Sequence, residues 1–182
     1  MQNQRYNKAI ERNLAELQRA ILIRTTLLGF ERESGVTSLF LKVSYFALFN
    51  DYIAHCIKVF EQSKQSASFW YIYRTNQPPI NEYTSKKNID ISELEAISNR
   101  LKRIRDQTHF HIDSTGVLDT HEVWRVAGLT GKRLSDGVNA VWSILNHLQK
   151  SLSLPEVLLP RAYNEAYVHE RVMAVSNGKF NT

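Results

Sequence analysis

The sequence contains few of the residues that build disulfide-linked, all-β or membrane-spanning proteins. Cys56 is its single cysteine, so there is no internal disulfide framework and no cage of cysteines around a metal ion. Seven glycines and four prolines are too few for the frequent tight turns of a β-sandwich or barrel, which favours long helices. No uninterrupted apolar stretch reaches the length of a membrane span, and the polar first residues do not resemble a signal peptide. We therefore expect a helical protein of the reducing cytoplasm with no membrane partner.

The bulk composition is that of an ordinary globular protein with a basic surplus. Hydrophobic residues make up 43% of the 182 residues and charged residues 23%, which is enough for one domain with a real core. The formal net charge is +5 and the isoelectric point is near 9.3, so a polyanion is a plausible partner. Charge alone leaves a second interpretation open, in which the basic residues only keep the surface soluble.

Apolar residues recur every three or four positions along the chain, which is the pattern of amphipathic helices. Long helices are predicted over 7–28, 37–62 and 132–152, with a further one starting at Ser92. Four long helices with modest connections predict an all-α, up-and-down bundle of four to five helices over 1–160. The remaining tail, 161–182, is predicted to be partly irregular, with one short helix near 165–172. On the second helix the predicted apolar side includes Leu39, Phe40, Val43, Phe46, Ala47, Ile53, Ile57 and Phe60.

Local signals predict where some elements begin and end. Ser92-Glu93-Leu94-Glu95 has the pattern of a capping box, which starts a helix. Pro78-Pro79 is predicted to stop any helix at that point, because proline lacks the backbone N–H and clashes with the preceding turn. Lys86-Lys87 is then expected in an exposed loop. A short helical turn is predicted over 119–126.

Ionisable side chains are concentrated near the predicted C-terminal end of the helix that starts at Ser92. They are Arg105, Asp106, His109, His111 and Asp113. A guanidinium stays charged and grips a phosphate through two parallel hydrogen bonds, and an imidazole can act as acid or base near neutral pH. This combination suits cleavage of a phosphodiester, in which negative charge develops on phosphate oxygens while protons move on and off ribose oxygens.

The same stretch resembles a known family motif. Arg105 is followed by the polar Asp106 and, after five intervening residues, by His111, near the end of the third helix of a small bundle. This resembles the HEPN superfamily, whose pattern is an arginine, four to six residues and a histidine, with a polar residue straight after the arginine. His111-Ile112-Asp113 is similar to the His-x-Asp ending of its abortive-infection-type members.

The resemblance implies a homodimer in which two motifs meet across a twofold axis to form one endoribonuclease site without metal or other cofactor. It implies that Arg105 holds the scissile phosphate and His111 handles protons while the 2′-hydroxyl of RNA attacks, leaving a 2′,3′-cyclic phosphate and a 5′-hydroxyl. It also implies a toxin or phage-defence role, with RNA as a partner and a neutralising antitoxin as a further candidate partner.

Helix geometry leaves the working histidine open. On a straight helix six positions turn a side chain by about 600°, so Arg105 and His111 would point about 120° apart, whereas Arg105 and His109 would share a face. The helix could fray before His111, the site could combine the arginine of one subunit with the histidine of the other, or His109 could be the working residue. The family spacing favours His111, with His109 and Asp106 in support.

Other basic and aromatic residues are candidates for guiding RNA. Phe69-Trp70-Tyr71-Ile72-Tyr73-Arg74 mixes aromatics with a base, and its Trp70 and Tyr73 rings could stack on unpaired bases beside Arg74. Lys102 and Arg103 could extend this path. The plainer interpretation is that the aromatics plug the end of a bundle and the basic run is a solvated face.

Two alternatives compete with the nuclease. The segment His109-Phe110-His111-Ile112-Asp113 also resembles the zinc-binding His-x-His-x-Asp of metallo-β-lactamase-type hydrolases. It departs from that pattern at Ser114, where the family has a further histidine, and the sequence lacks the many strands of that fold. The second alternative is a catalytically inactive, HEPN-like dimerisation or regulatory module, in which Arg105 pairs with Asp113 or Glu95.

Overall fold

The computed structural model describes residues 2–31, 39–109 and 120–176, and all regular secondary structure in these ranges is helical. The predicted all-α class is therefore confirmed for this part of the chain. The α-helices are α1 (Gln2–Glu31), α2 (Leu39–Phe60), α3 (Phe69–Thr75), α4 (Gln77–Lys87), α5 (Ile91–Ile104), α6 (Thr120–Ala127), α7 (Gly131–Ser151) and α8 (Glu165–Ser176). A π-helical segment, Arg105–His109, follows α5 directly. Across these ranges no helix combines the length and the apolar content needed to cross a membrane.

The helices are grouped into two compact units. Unit 1 consists of Met1–Leu17 and Cys56–Val157, and unit 2 consists of Gln18–His55 and Leu158–Thr182. Helices α1 and α2 each contribute residues to both units. The sequence predicts a bundle over 1–160 and a tail over 161–182. This division stays a prediction, because the two units do not show which segments fold independently.

Unit 1 is built around α5 and α7. Helix α5 packs against α6 and α7, and α4 packs against α7 and α3. Apolar side chains from all of these elements are buried, and for α5 and α7 the periodicity predicted this. The fully buried ones include Ile10, Leu14, Phe60, Phe69, Ile72, Ile80, Ile97, Leu101, Ile104, Val141, Ile144 and Leu145. Helices α5 and α7 come close at Gly137, where an added Cβ would lie 2.5 Å from Ile97 Cδ1. This core supports the C-terminal end of α5, which Arg105 directly follows.

Unit 2 has a small core of its own. Leu41, Val168 and Val172 are buried together, and partly buried side chains of Phe30, Tyr163 and Val175 pack against them. Gly29 lies so close to α8 that an added Cβ would be 2.6 Å from Val168 Cγ1 and 2.7 Å from Val168 Cβ. A side chain at position 29 would therefore collide with a β-branched residue that has little room to move.

One side of α2 is not buried as predicted. Leu39, Phe40, Val43 and Phe46 are exposed, at 75%, 69%, 59% and 63%. The predicted apolar side is confirmed further along the helix, where Ile53, Ile57 and Phe60 are buried. The pattern alone could not say that the first half of the helix carries more apolar side chains than its neighbours in the described ranges cover.

Several local predictions are confirmed and others are wrong. The turn around 119–126 is α6, and the tail helix runs longer than predicted, to Ser176. Pro78-Pro79 does not stop a helix, because both prolines lie in the first turn of α4, where backbone N–H groups have no intrahelical acceptor. Lys86-Lys87 consequently lies in the last turn of α4, which ends at Asn88 in a left-handed conformation with φ of 52°.

The N-cap of α5 is Asp90 and not Ser92. Its Oδ1 accepts hydrogen bonds from the Ser92 backbone N–H at 2.8 Å and from the Ser92 hydroxyl at 2.7 Å. These hydrogen bonds lower the pKa of Asp90. The sequence signal located the helix start to within two residues but assigned the capping role to the donor, since serine and aspartate are both good N-caps.

Candidate functional site

Arg105 lies where α5 changes from α-helical to π-helical geometry. Its backbone N–H donates to the carbonyls of Leu101 and Lys102, and the next four residues continue with the wider turn. π-Helical turns are rare and occur frequently at functional sites. The angle of about 120° expected between Arg105 and His111 assumes a straight α-helix, so it does not describe this segment.

Two carboxylates hold the Arg105 guanidinium. Its Nε and Nη2 both lie 2.8 Å from Asp106 Oδ1, and its Nη1 donates to Glu61 Oε2. Glu61 directly follows α2, and its other carboxylate oxygen accepts from the Ser63 backbone N–H at 3.1 Å. The side chains of Arg105 and Glu61 are 24% and 23% exposed. The hydrogen bond with Asp106, followed by the charge of Glu61, raises the pKa of Arg105 above its ordinary value, so this group is a permanent cation.

An open cleft of about 700 Å³ lies beside this ion-pair network. Two cationic side chains, one carboxylate, two amides and two hydroxyl groups line it. They belong to Glu61, Gln62, Ser63, Gln65, Ser66, Lys102 and Arg105. We call this the Arg105 cleft. Its polar lining can donate hydrogen bonds to an anion, and no aromatic ring is among these residues to stack on a base.

The other predicted basic residues are spread over different positions. Lys102 is exposed and lines the Arg105 cleft. Arg74 lies at its margin, since its Nη1 is 3.4 Å from the carbonyl oxygen of Gln62. Arg103 is exposed on α5 but does not line the cleft. Two of the three predicted RNA-guiding cations thus lie at or beside the cleft that Arg105 occupies.

The predicted stacking residues have other roles. Trp70 is only 6% exposed, and its indole N–H donates to the Ser98 hydroxyl at 2.7 Å. The rings of Phe69 and Tyr73 contact it edge-on, with centroids 5.2 and 5.8 Å away. The structure therefore corrects the prediction for Trp70, which is a core residue with a satisfied polar group. Tyr73 is partly exposed, and its hydroxyl donates to Asn81 Oδ1 at 3.2 Å.

The proton-transfer roles predicted for His109 and His111 stay predictions. His111 and Asp113 lie outside the described residues, and for His109 only the backbone is described. The zinc alternative depends on these same residues. Elsewhere, in the part of the chain that the structure describes, no three His, Cys, Asp or Glu side chains are grouped closely enough to hold a metal ion. The predicted pairing of Arg105 with Glu95 is wrong, because the guanidinium contacts Glu61 and Asp106 instead.

Sequence reasoning missed Glu61. It lies 44 positions from Arg105, so no local motif could connect them. The available signal was its position, because it is the first acidic residue after the apolar stripe of α2 and opens a polar stretch. No protein-family model, curated protein or solved structure matches this chain. The functional proposal below is therefore based on the chemistry of the Arg105 cleft.

Proposed function

We propose that the protein is a metal-independent endoribonuclease of HEPN-like, toxin or phage-defence type that cleaves single-stranded RNA in the Arg105 cleft. The observation that supports this most directly is the position of Arg105. A permanent, partly buried guanidinium faces an open polar cleft together with a second cation, Lys102. A guanidinium can bind two phosphate oxygens through parallel hydrogen bonds.

In the proposed reaction the 2′-oxygen of one nucleotide attacks the adjacent phosphorus. The bond from the 2′-oxygen to phosphorus forms, the bond from phosphorus to the 5′-oxygen breaks, and a 2′,3′-cyclic phosphate and a 5′-hydroxyl result. One group must accept the 2′-hydroxyl proton and another must protonate the departing 5′-oxygen. We assign this proton transfer to His111, with His109 in support. Arg105 stabilises the charge that develops on the phosphate, and Asp106 fixes the plane of its guanidinium.

The lining of the cleft favours recognition of the RNA backbone over recognition of bases. Lys102 and Arg74 add positive charge around Arg105, and the hydroxyl groups of Ser63 and Ser66 can bond ribose or phosphate oxygens. Without an aromatic side chain among the lining residues, base stacking contributes little there. We therefore expect weak sequence preference and strong dependence on salt concentration.

We propose that the active form is a homodimer and that the exposed side of α2 is part of its interface. Leu39, Phe40, Val43 and Phe46 together expose roughly 500 Å² of apolar surface, if a large side chain is taken as about 200 Å². A stable interface of standard size buries about 800 Å² per partner. The patch is thus large enough to form the apolar centre of a contact with a second copy.

One observation favours the alternative of a catalytically inactive, dimerising or regulatory module. Both nitrogens of one fork of the Arg105 guanidinium are engaged by Asp106, and Glu61 engages the third nitrogen. An arginine neutralised by two carboxylates can have a purely structural role. In that case substitution of Arg105 would lower stability but would affect no activity on RNA.

The test is cleavage of a single-stranded RNA by the purified protein in excess EDTA. Wild type and Arg133→Ala should cut, whereas Arg105→Ala and His111→Ala should lose cleavage while keeping the wild-type circular dichroism spectrum. Arg133 is a matched control, because it is also paired with a glutamate, Glu93, and does not line the cleft. Cleavage that survives Arg105→Ala, or a well-folded wild type that cuts no RNA, would contradict the proposal.

A further inference from the structure

The hydrogen bonds of Arg105 show which part of its guanidinium is left for a ligand. A guanidinium has five N–H groups arranged as two forks, one formed by Nε and Nη2 and the other by Nη1 and Nη2. Asp106 Oδ1 engages both nitrogens of the first fork at 2.8 Å. Two parallel bonds to a phosphate must therefore use the second fork, and Nη1 of that fork already donates to Glu61 Oε2.

Glu61 is fixed in this position. One carboxylate oxygen accepts from the Ser63 backbone N–H at 3.1 Å, and the other contacts Arg105. Its own backbone carbonyl accepts a hydrogen bond from the Ser68 hydroxyl. Glu61 also lines the Arg105 cleft, so its carboxylate lies beside the part of the guanidinium that a phosphate in the cleft would contact. Carboxylate and phosphate present the same kind of anionic oxygen to Arg105.

We propose that Glu61 competes with the substrate phosphate for Arg105. The Arg105 cleft then binds a phosphodiester only to the extent that Glu61 releases Nη1. This inference rests on the proposed phosphate-binding role of Arg105 and adds a regulatory element to it. Asp106 keeps the guanidinium in place when Glu61 leaves, because it engages the other fork. Glu61 therefore opposes binding, whereas Asp106 supports it.

The competition predicts an effect opposite to that of losing a structural ion pair. Glu61→Gln keeps the shape and the Ser63 contact but removes the negative charge that faces the incoming phosphate. A ligand that competes with a protein group binds more tightly when that group is weakened, by the fraction of binding-competent protein gained. We expect Glu61→Gln to bind a phosphodiester roughly 3- to 10-fold more tightly, which is the range of one lost charge-assisted hydrogen bond after partial screening.

The probe is a short oligodeoxynucleotide, which carries phosphodiesters but has no 2′-hydroxyl and is not cut. Its dissociation constant is measured by fluorescence anisotropy for wild type, Glu61→Gln, Glu61→Ala, Arg105→Ala and the double variant Glu61→Gln/Arg105→Ala. Glu93→Gln is the matched control. It removes the same charge from a glutamate that is also paired with an arginine and lies outside the cleft, so it reports the effect of net charge alone.

The proposal requires three results. Glu61→Gln must bind more tightly than both wild type and Glu93→Gln. Glu61→Ala must change binding in the same direction, which guards against an effect specific to glutamine. The gain must vanish in the double variant, because a competitor has no effect when the site it blocks is absent. Equal binding by Glu61→Gln and Glu93→Gln, or weaker binding by Glu61→Gln, would overturn the proposal and give Glu61 a positioning role.

Failure of this inference differs from failure of the proposed function. If wild type cuts RNA but Glu61→Gln does not bind the oligodeoxynucleotide more tightly, the nuclease stands and the competitor is excluded. If neither wild type nor Glu61→Gln cuts RNA, the nuclease fails whatever the binding data show. In that second case a tighter, Arg105-dependent complex with Glu61→Gln would still establish the competition for an anion-binding site.

Discussion

Arg133 on α7 and Glu93 on α5 form a forked ion pair, in which Arg133 Nε donates to Glu93 Oε1 and Arg133 Nη2 donates to Glu93 Oε2 at 2.5 Å. The pair joins the two helices near the start of each. The hydrogen bond from Arg133 is the largest influence on the carboxyl group and holds the pKa of Glu93 below its ordinary value of 4.5.

This lowered pKa predicts a pH-dependent contribution to stability. A carboxyl group whose pKa is lower in the folded than in the unfolded protein stabilises the fold above its unfolded pKa and loses that effect as the pH falls through the folded pKa. The Glu93 side chain is 39% exposed, so solvent screening keeps the contribution below about 1 kcal/mol. Glu93→Gln should therefore have a slightly lower melting temperature than wild type at pH 7, and the difference should shrink as the pH falls from 4.5 through the lowered pKa of Glu93. A difference that grows on acidification would contradict this account.

Substitution of Gly29 should lower the stability of unit 2 by more than the loss of the Glu93 charge lowers that of unit 1. Gly29→Ala would place a methyl group 2.6 Å from Val168 Cγ1, so α1 and α8 would have to move apart at a well-packed contact. Overpacking of this kind typically destabilises by about 1–3 kcal/mol. Gly131→Ala is the matched control, because no atom lies within 4 Å of the added Cβ. Urea denaturation should show a loss for Gly29→Ala, and a neutral result or a gain of up to about 1 kcal/mol for Gly131→Ala.

The hydrogen bond from Trp70 to Ser98 allows the core role of Trp70 to be tested. Ser98→Ala removes the acceptor of the buried indole N–H and should destabilise the protein by about 1–3 kcal/mol. Trp70→Phe removes the donor as well, so the double variant should lose less than the sum of the single changes. Equilibrium unfolding measures both effects. Additive losses would show that the hydrogen bond contributes nothing, and a Trp70→Phe protein that is fully stable but binds RNA poorly would restore the stacking role.

Substitution of Phe46 tests whether the exposed side of α2 mediates self-association. Phe46→Ser should weaken self-association by about tenfold or more if the patch is the centre of a homodimer interface, because aromatic anchors dominate such contacts. Leu158→Ser is the control, since Leu158 is similarly exposed, at 65%, but stands apart from the patch in the sequence. Sedimentation velocity over a range of concentrations distinguishes the two. A wild type that stays monomeric at high concentration would exclude the dimer.

The fold class and most helices could be predicted from the sequence because they depend on a local signal. Apolar spacing located α2 and α7 to within two residues and α1 to within five, and the capping region located α5. Helices α3 and α4 were missed for physical reasons. Helix α3 has only seven residues, too short for a clear period, and the prolines of α4 have opposite effects in the first turn and in the interior.

The candidate site was predictable only in part. Arg105 and Lys102 were identified from residue chemistry and from the motif, and the structure places both at one cleft. Glu61 was not predicted, because its pairing with Arg105 joins segments that are far apart in the sequence, and its position after α2 does not indicate its partner. The burial of Trp70 was equally invisible, since the same aromatic cluster suits a core and a nucleic-acid surface.

The wide turn that begins at Arg105 has a consequence for protein engineering. A π-helical turn holds one residue more than an α-helical turn, so the segment Arg105–His109 is equivalent to a single-residue insertion in a regular helix. Deletion of Gln107 would allow α5 to continue with ordinary geometry. The shortened protein should gain thermal stability, and its Asp106 should meet Arg105 from a different direction.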